Sequence, residues 1–173
     1  TVKAFTSSYT GEVYVYKYRN GIWGQVGSTL SGIASEYLGI PCLISNDGKT
    51  IALGSHKASD GNIGGSVHVY EFINGDWSLK GSIIDSNNTA SNEGFGSRGT
   101  CLSGDGTVVA GYAGFSNYAK VFKYVADSTN DWVQMGSDFT IDPGSLNINV
   151  ASRKTGLSDD GTIFAVSSPV DDT

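Results

Sequence analysis

The chain has 173 residues, of which 39% are hydrophobic, 11% aromatic and only 16% charged, and it contains 24 glycines. This length and apolar content suffice for a folded domain with a buried core and exclude a disordered chain. The formal net charge of −6 argues against a nucleic-acid partner, which would need a concentrated basic surface. No apolar run reaches the roughly 18–20 residues that span a bilayer, which argues against membrane insertion.

In chain order, the predicted elements are short β-strands separated by turns. Residues 1–5 (TVKAF) and 12–18 (EVYVYKY) are followed by a strand around Trp23. The same order of segments returns twice. It returns first in residues 43–55, in residues 66–72 and around Trp77, and then in residues 101–113, in residues 119–124 and around Trp132. Residues 156–168 come last. The β-branched and aromatic residues of these runs favour strands, and no segment shows a sustained helical period with caps.

Three landmarks recur in a fixed order and define an internal repeat. Each copy contains an apolar strand, the motif Trp-x-x-x-Gly-Ser and an Asp-Gly pair. The three tryptophans of the chain, Trp23, Trp77 and Trp132, are spaced by 54 and 55 residues. The Asp-Gly pairs predict hairpin turns, because Asp can bond to nearby backbone and Gly accepts a positive φ. Their glycines are Gly48, Gly106 and Gly161.

The strands of the repeat are apolar on both faces. Val67 and Val69 form an aliphatic face, whereas His68, Tyr70 and Phe72 form a mainly aromatic one. A sheet with one face in water would show polar residues there, so other sheets should cover both faces. A covered four-stranded unit of about 50 residues is typical of a β-propeller blade. A β-sandwich is the competing interpretation, but it requires no repeat. Each Trp is predicted to cover the edge of the neighbouring blade.

The chain is predicted to contain a half blade of two strands, two full blades of four strands each, and a second half blade of two strands. These parts are residues 1–30, 31–84, 85–139 and 140–173. Closed propellers contain about four to eight blades, so this partial propeller should not close alone. The first residue is Thr and not Met. We therefore expect a segment of a larger propeller, and the alternative is that several copies complete a ring.

The order Ser-x-Asp-Gly, apolar-x-Val-Tyr and Trp-x-x-x-Gly resembles the FG-GAP-like repeats of integrin-α-type propellers. Such repeats are abundant in secreted or cell-surface proteins of marine bacteria and algae. The resemblance implies an extracellular or cell-surface propeller used for adhesion, recognition or structural assembly. Its implied partners are other blades of the same chain, other protein subunits or glycans.

The chain departs from integrin-type repeats in lacking the calcium loop Asp-x-Asp-x-Asp-Gly. The nearest acidic loops contain Asp60, Asp85, Asp127 and Asp131. They are interpreted as ordinary polar loops, because calcium takes six to eight oxygen ligands and these loops offer few. No cofactor or metal is therefore predicted, with these four residues as the calcium candidates.

The sequence shows no set of catalytic residues. His56 and His68 have no nucleophile near them in sequence, and the four glutamates (Glu12, Glu36, Glu71 and Glu93) are interpreted as occupying unrelated positions. Cys42 and Cys101 form no C-x-x-C pair and are predicted to be buried thiols. Asn87, in Asn-Asn-Thr, is a predicted glycosylation site.

These observations predict a non-catalytic structural or adhesive extracellular module, and not an enzyme. Two alternatives remain. The first is a glycan- or protein-binding module that uses loop residues at the mouth of the ring, with Tyr37, His56, Tyr112 and Phe115 as candidates. The second is a segment of a propeller-fold enzyme whose site lies on the propeller axis.

Overall fold

The computed structural model describes residues 9–57, 64–86, 93–114, 116–140 and 155–167, and these residues form β-strands, turns and loops. No helix that could cross a membrane occurs in these ranges. The strands are β1 (Glu12–Val13), β2 (Tyr16–Arg19), β3 (Ile22–Gln25), β4 (Leu30–Ser31), β5 (Cys42–Ile44), β6 (Thr50–Ser55), β7 (Ser66–Ile73), β8 (Asp76–Leu79), β9 (Ile84–Asp85), β10 (Phe95–Leu102), β11 (Val108–Ala113), β12 (Tyr118–Val125), β13 (Asp131–Gln134), β14 (Phe139–Thr140), β15 (Thr155–Leu157) and β16 (Phe164–Val166).

Two sheets have the same antiparallel order, β5-β6-β7-β8 and β10-β11-β12-β13. In each sheet the outer strand is interrupted. The strand β8 pairs with residues 70–73 of β7, and β9 then pairs with Ser66 and Val67 at the start of β7. The short strand β14 continues β13 along β12 in the same way. The pairs β2-β3 and β1-β4 precede these sheets, and the pair β15-β16 follows them.

This arrangement confirms the predicted all-β fold of repeated antiparallel four-stranded units. The number of blades and the four part boundaries remain predictions. Residues 1–5, predicted as a strand, lie outside the described residues.

Both faces of the central strands are covered, as their apolar sequences predict. All six residues of β6 and all six of β11 are buried. The main core lies between the two four-stranded sheets and includes Val67, Val69, Phe95, Val109 and Phe122. The first repeat differs, because Tyr14, Tyr16 and Tyr18 are about half exposed, at 48%, 52% and 57%. Its aromatic face is therefore only partly covered by the residues that the structure describes.

The Asp-Gly pairs form the predicted turns. Gly48, Gly106 and Gly161 have φ values of 71°, 70° and 71°, which an L side chain rarely adopts. In the first turn, Ser45 Oγ and the Lys49 N–H both donate to Asp47 Oδ1, at 2.8 and 2.9 Å. The same side-chain bonds recur at Asp105 and Asp160.

The Trp motif joins neighbouring repeats through what we call the inter-repeat latch. Trp77 Nε1 donates to the carbonyl oxygen of Val26 in the preceding repeat (3.0 Å). Its indole lies so close to Gly27 that a Cβ there would be 2.5 Å from Trp77 Cδ1. Asp76 accepts both the N–H and the hydroxyl of Ser28, at 2.6 and 2.9 Å. The Asp-Trp pair of one repeat therefore forms hydrogen bonds and packing contacts with the Gly-Ser segment of the repeat before it.

A second latch has the same parts. Trp132 Nε1 donates to the carbonyl oxygen of Lys80 (2.6 Å), and Asp131 accepts the N–H and hydroxyl of Ser82, at 2.7 and 2.9 Å. Trp77 and Trp132 are consequently buried, as predicted. Trp23 is 69% exposed, and its cover over a neighbouring blade stays a prediction, because the described residues include no repeat before its own. Ile22 stands there in the position that Asp holds in the other copies.

Candidate functional site

A cluster of buried polar side chains lies where the segment before β5 meets the facing ends of β6 and β7. His68 Nε2 is 3.2 Å from Glu36 Oε1 and 3.0 Å from Ser66 Oγ. Ser55 Oγ is 3.3 Å from the same Glu36 oxygen. All four residues are at most 6% exposed. Buried polar groups must be paired to be tolerated, and these satisfy one another.

The electrostatics of this cluster favour a neutral imidazole. Burial lowers the pKa of His68, and the carboxylates of Glu36 and Asp85 act in the opposite direction. Ser66 and Glu36 both approach the same ring nitrogen, Nε2. A serine–histidine–acid relay needs the hydroxyl on one ring nitrogen and the carboxylate on the other. The cluster therefore lacks the geometry of a catalytic triad.

Next to this cluster is a row of three rings, which we call the aromatic ledge: Tyr9, Tyr37 and His56. Tyr9 and Tyr37 are stacked with ring centroids 5.1 Å apart, and His56 meets Tyr37 edge-on at 5.9 Å. Tyr9 is 61% exposed and Tyr37 39%. The ledge is tied to the buried cluster because the His56 N–H donates to the backbone oxygen of Glu36 (2.8 Å). Exposed rings thus stand beside a buried carboxylate and imidazole.

The next repeat places a related polar cluster at the same end of its sheet. Glu93 is 1% exposed and accepts from Tyr118 OH (2.6 Å) and Ser116 Oγ (3.2 Å). Burial and the hydrogen bond to Glu93 raise the pKa of Tyr118. Lys120 Nζ donates to the backbone oxygen of Ser86 (2.6 Å). His68 and Lys120 occupy matching positions in β7 and β12. The buried basic side chain is therefore a histidine in one repeat and a lysine in the next.

The two buried glutamates were missed by the sequence analysis, which treated them as unrelated. Glu36 and Glu93 each stand three residues before a glycine, in Glu-Tyr-Leu-Gly and Glu-Gly-Phe-Gly. Leu38 and Phe95, two positions after each glutamate, are both buried. The pattern Glu-x-apolar-Gly therefore precedes two of the three Asp-Gly turns, and the third is preceded by no Glu. Aligning the segments between the Trp motif and the Asp-Gly turn would have found it.

Of the four loop residues predicted to bind a ligand, the structure brings two together. Tyr37 and His56 are neighbours in the aromatic ledge. Tyr112 does not fit the prediction, because it lies within β11, is fully buried and bonds to Asn117 Oδ1 (3.3 Å). Phe115 lies outside the described residues.

Three of the candidate calcium residues are described by the structure, and each has a structural role in a loop, a latch or a strand. Asp127 accepts from the N–H and hydroxyl of Thr129, Asp131 belongs to a latch, and Asp85 lies in β9. Within the described ranges no group of three or more His, Cys, Asp or Glu side chains could hold a metal ion. Asp60 and the predicted glycosylation site Asn87 lie outside those ranges. The absence of a cofactor remains a prediction.

The two cysteines differ in their surroundings. Both are free thiols. Cys101 is buried as predicted, and burial raises its pKa to about 11. The prediction is wrong for Cys42, which is exposed because it begins the short strand β5 at the edge of its sheet.

Comparison with solved structures identifies the class of fold. A provisionally named 6-phosphogluconolactonase from Bacteroides fragilis matches 78% of this chain with a TM-score of 0.51 and 14% sequence identity. A protein from Lactobacillus plantarum matches 92% of the chain with a TM-score of 0.54 and 18% identity. The matched regions span 34% and 45% of those two chains. No family model matches this sequence, and no curated protein does.

The chain is therefore a β-propeller of antiparallel four-stranded blades, and it spans less than half the length of these structures. The resemblance to FG-GAP-like repeats is supported only as far as the propeller fold. The prediction of a non-catalytic adhesive module that is not an enzyme is contradicted, because a protein that shares the fold carries the name of an enzyme.

Proposed function

We propose that this chain contributes blades to a propeller-fold enzyme that hydrolyses a lactone of a sugar acid. The observation that carries the proposal is the aromatic ledge of Tyr9, Tyr37 and His56 beside the buried Glu36–His68 cluster. The fold shared with a provisionally named 6-phosphogluconolactonase supports the choice of substrate class. The extracellular location and the glycosylation at Asn87 stay predictions of the sequence.

In this proposal His56 is the general base. An imidazole within reach of a bound water can accept its proton as the water attacks. The water oxygen bonds to the lactone carbonyl carbon, the ring carbon–oxygen bond breaks, and the released ring oxygen takes up the proton from His56. No group is oxidised or reduced, and the product is the open-chain acid.

The other residues of the site would position the substrate and the base. Tyr9 and Tyr37 offer exposed aromatic surface on which an apolar face of the sugar ring can pack. The backbone oxygen of Lys57 accepts from Ser55 Oγ (3.0 Å) and Ser66 Oγ (2.6 Å), which anchors the segment that carries His56. In this proposal the Lys57 side chain, next to His56 in sequence, would supply a cation to a phosphate group.

The test is proton release from glucono-δ-lactone and from 6-phosphogluconolactone, measured against the spontaneous rate in the same buffer. His56→Ala should lower the catalysed rate by about 10²–10⁴-fold, the usual contribution of a general base. Tyr37→Ala should mainly raise KM. Asp127→Asn, in a turn remote from these rings in sequence, is the control and should leave the rate unchanged.

Two results would refute this proposal. The first is a wild-type rate no higher than the spontaneous one for both lactones, and the second is an unchanged rate in His56→Ala. If the lactones or their acids bind in calorimetry, lose affinity in Tyr37→Ala and are not turned over, the ledge serves as a sugar-binding surface. The exposed Tyr9–Tyr37 stack favours this as the second candidate function.

A further inference from the structure

Four hydrogen bonds fix the backbone of the short segment that carries His56. The His56 N–H donates to the Glu36 carbonyl oxygen (2.8 Å), and the Lys57 N–H donates to Ser55 Oγ (3.2 Å). The Lys57 carbonyl oxygen accepts from Ser55 Oγ (3.0 Å) and from Ser66 Oγ (2.6 Å). The position of His56 along its loop is therefore set by residues of the buried cluster.

The position of the proton on His68 follows from the hydrogen bonds of Ser66. The Ser66 hydroxyl has one proton, and the Lys57 carbonyl oxygen, at 2.6 Å, can only accept it. Ser66 Oγ is 3.0 Å from His68 Nε2 and must therefore be the acceptor of that bond. Nε2 thus carries the proton, and Glu36 Oε1, 3.2 Å from the same nitrogen, is a second acceptor for it. A hydrogen-bond network therefore joins the Glu36 carboxylate to the Lys57 carbonyl oxygen through two side chains.

The next repeat forms the same pair of strands without this network. Ser55 pairs with Ser66 across β6 and β7. The matching pair in β11 and β12 is Ala113 with Tyr118. Ala113 has no hydroxyl, and the residue after it is a glycine where this repeat has His56. The network is therefore not required to form the sheet, and it is present in the repeat that carries His56.

We propose that His68 is a positioning residue that holds His56 in place as the general base, an inference that rests on the proposed lactone hydrolysis. The His68 N–H pairs with the buried Glu36 carboxylate and orients the Ser66 hydroxyl towards the Lys57 carbonyl oxygen. Without that N–H, the buried carboxylate loses a donor, and such a loss is costly inside a protein. The segment around His56 should then shift, and a misplacement of about 1 Å can lower a catalysed rate about 10²-fold.

The first test compares three replacements of His68 in lactone hydrolysis. His68→Phe keeps an aromatic ring but removes the N–H. His68→Gln places an amide N–H near the position of Nε2, whereas the shorter His68→Asn does not reach it. The kcat should fall about 10–10²-fold in His68→Phe and His68→Asn with little change in KM, and His68→Gln should recover most of it. Tyr118→Phe, which removes the donor to the buried Glu93 (2.6 Å) in the next repeat, is the matched control and should leave kcat unchanged.

The second test needs no substrate. The chain contains two histidines, so a nitrogen NMR spectrum of the imidazoles has two sets of signals, and the set that His68→Phe removes belongs to His68. We expect that set to show a protonated Nε2 and an unprotonated Nδ1 at neutral pH. Exchange of the His56 amide hydrogen with solvent should be about tenfold faster in His68→Phe and unchanged in Tyr118→Phe, because its bond to the Glu36 oxygen (2.8 Å) depends on the buried cluster.

The proposal is overturned if the single proton of His68 lies on Nδ1, or if the His56 amide exchanges equally fast in His68→Phe and the wild type. It is also overturned if Tyr118→Phe lowers kcat as much as His68→Phe does, or if His68→Gln is no more active than His68→Asn. A wild type that hydrolyses neither lactone refutes the proposed function instead, and the spectra and exchange rates then still decide whether His68 fixes the His56 segment.

Discussion

Replacing Trp132 by Ala should be among the most destabilising single changes in this chain. Trp132 is 9% exposed and packs against Tyr124 at 5.3 Å. Truncating a buried Trp to Ala costs about 3–5 kcal/mol, and the change also leaves the Lys80 oxygen without its donor. Trp132→Phe keeps most of the ring but removes the 2.6 Å bond, and should cost about 1–3 kcal/mol.

The matched control is Trp23→Ala, at the equivalent position of the first repeat. Because Trp23 is 69% exposed, its truncation should change the free energy of unfolding by no more than about 0.5 kcal/mol. The assay is urea unfolding followed by circular dichroism. Equal destabilisation by Trp132→Ala and Trp23→Ala would refute the latch, as would a cost below about 1 kcal/mol for Trp132→Ala.

Three further predictions concern packing, pH and thiol reactivity. Gly111→Ala should cost about 1–3 kcal/mol, because its Cβ would enter a buried aromatic ring; Gly24→Ala, with open space around it, should leave the urea midpoint unchanged. The hydrogen bonds of Asp160 lower its pKa from 3.8 to about 2. The contribution of the ionised carboxylate to the free energy of unfolding is therefore present above about pH 4 and is lost as the pH falls towards 2. Asp160→Asn should flatten the fall of melting temperature over that range, and an identical profile would contradict this. Exposed Cys42 should react with a thiol reagent in the native state while buried Cys101 reacts only on unfolding; equal native rates, by mass spectrometry, would contradict the burial.

The fold was predictable because its signals are local and repeated. An Asp-Gly pair between two apolar runs determines a turn by its own chemistry, and Gly106 adopts the expected positive φ. Strands that are apolar on both faces require cover on both faces, and β6 and β11 have it.

The site was less predictable because burial and distance depend on how separate segments meet. Tyr112 has the sequence context of a loop neighbour, yet its ring is fully buried. The contact between Glu36 and His68 joins residues from two segments that only the sheet packing brings together. The exposure of Trp23 depends on what lies beside its repeat, which its own motif does not encode.

Both halves of a latch are contained within seven consecutive residues, and this has a consequence for how such a chain can change in length. Asp76 and Trp77, in β8, bind the preceding repeat, and Lys80 to Ser82, directly after β8, are bound by the following one. A duplicated repeat would therefore bring its own joint to both neighbours. A gene encoding this protein could gain or lose whole repeats by recombination without any new interface having to evolve.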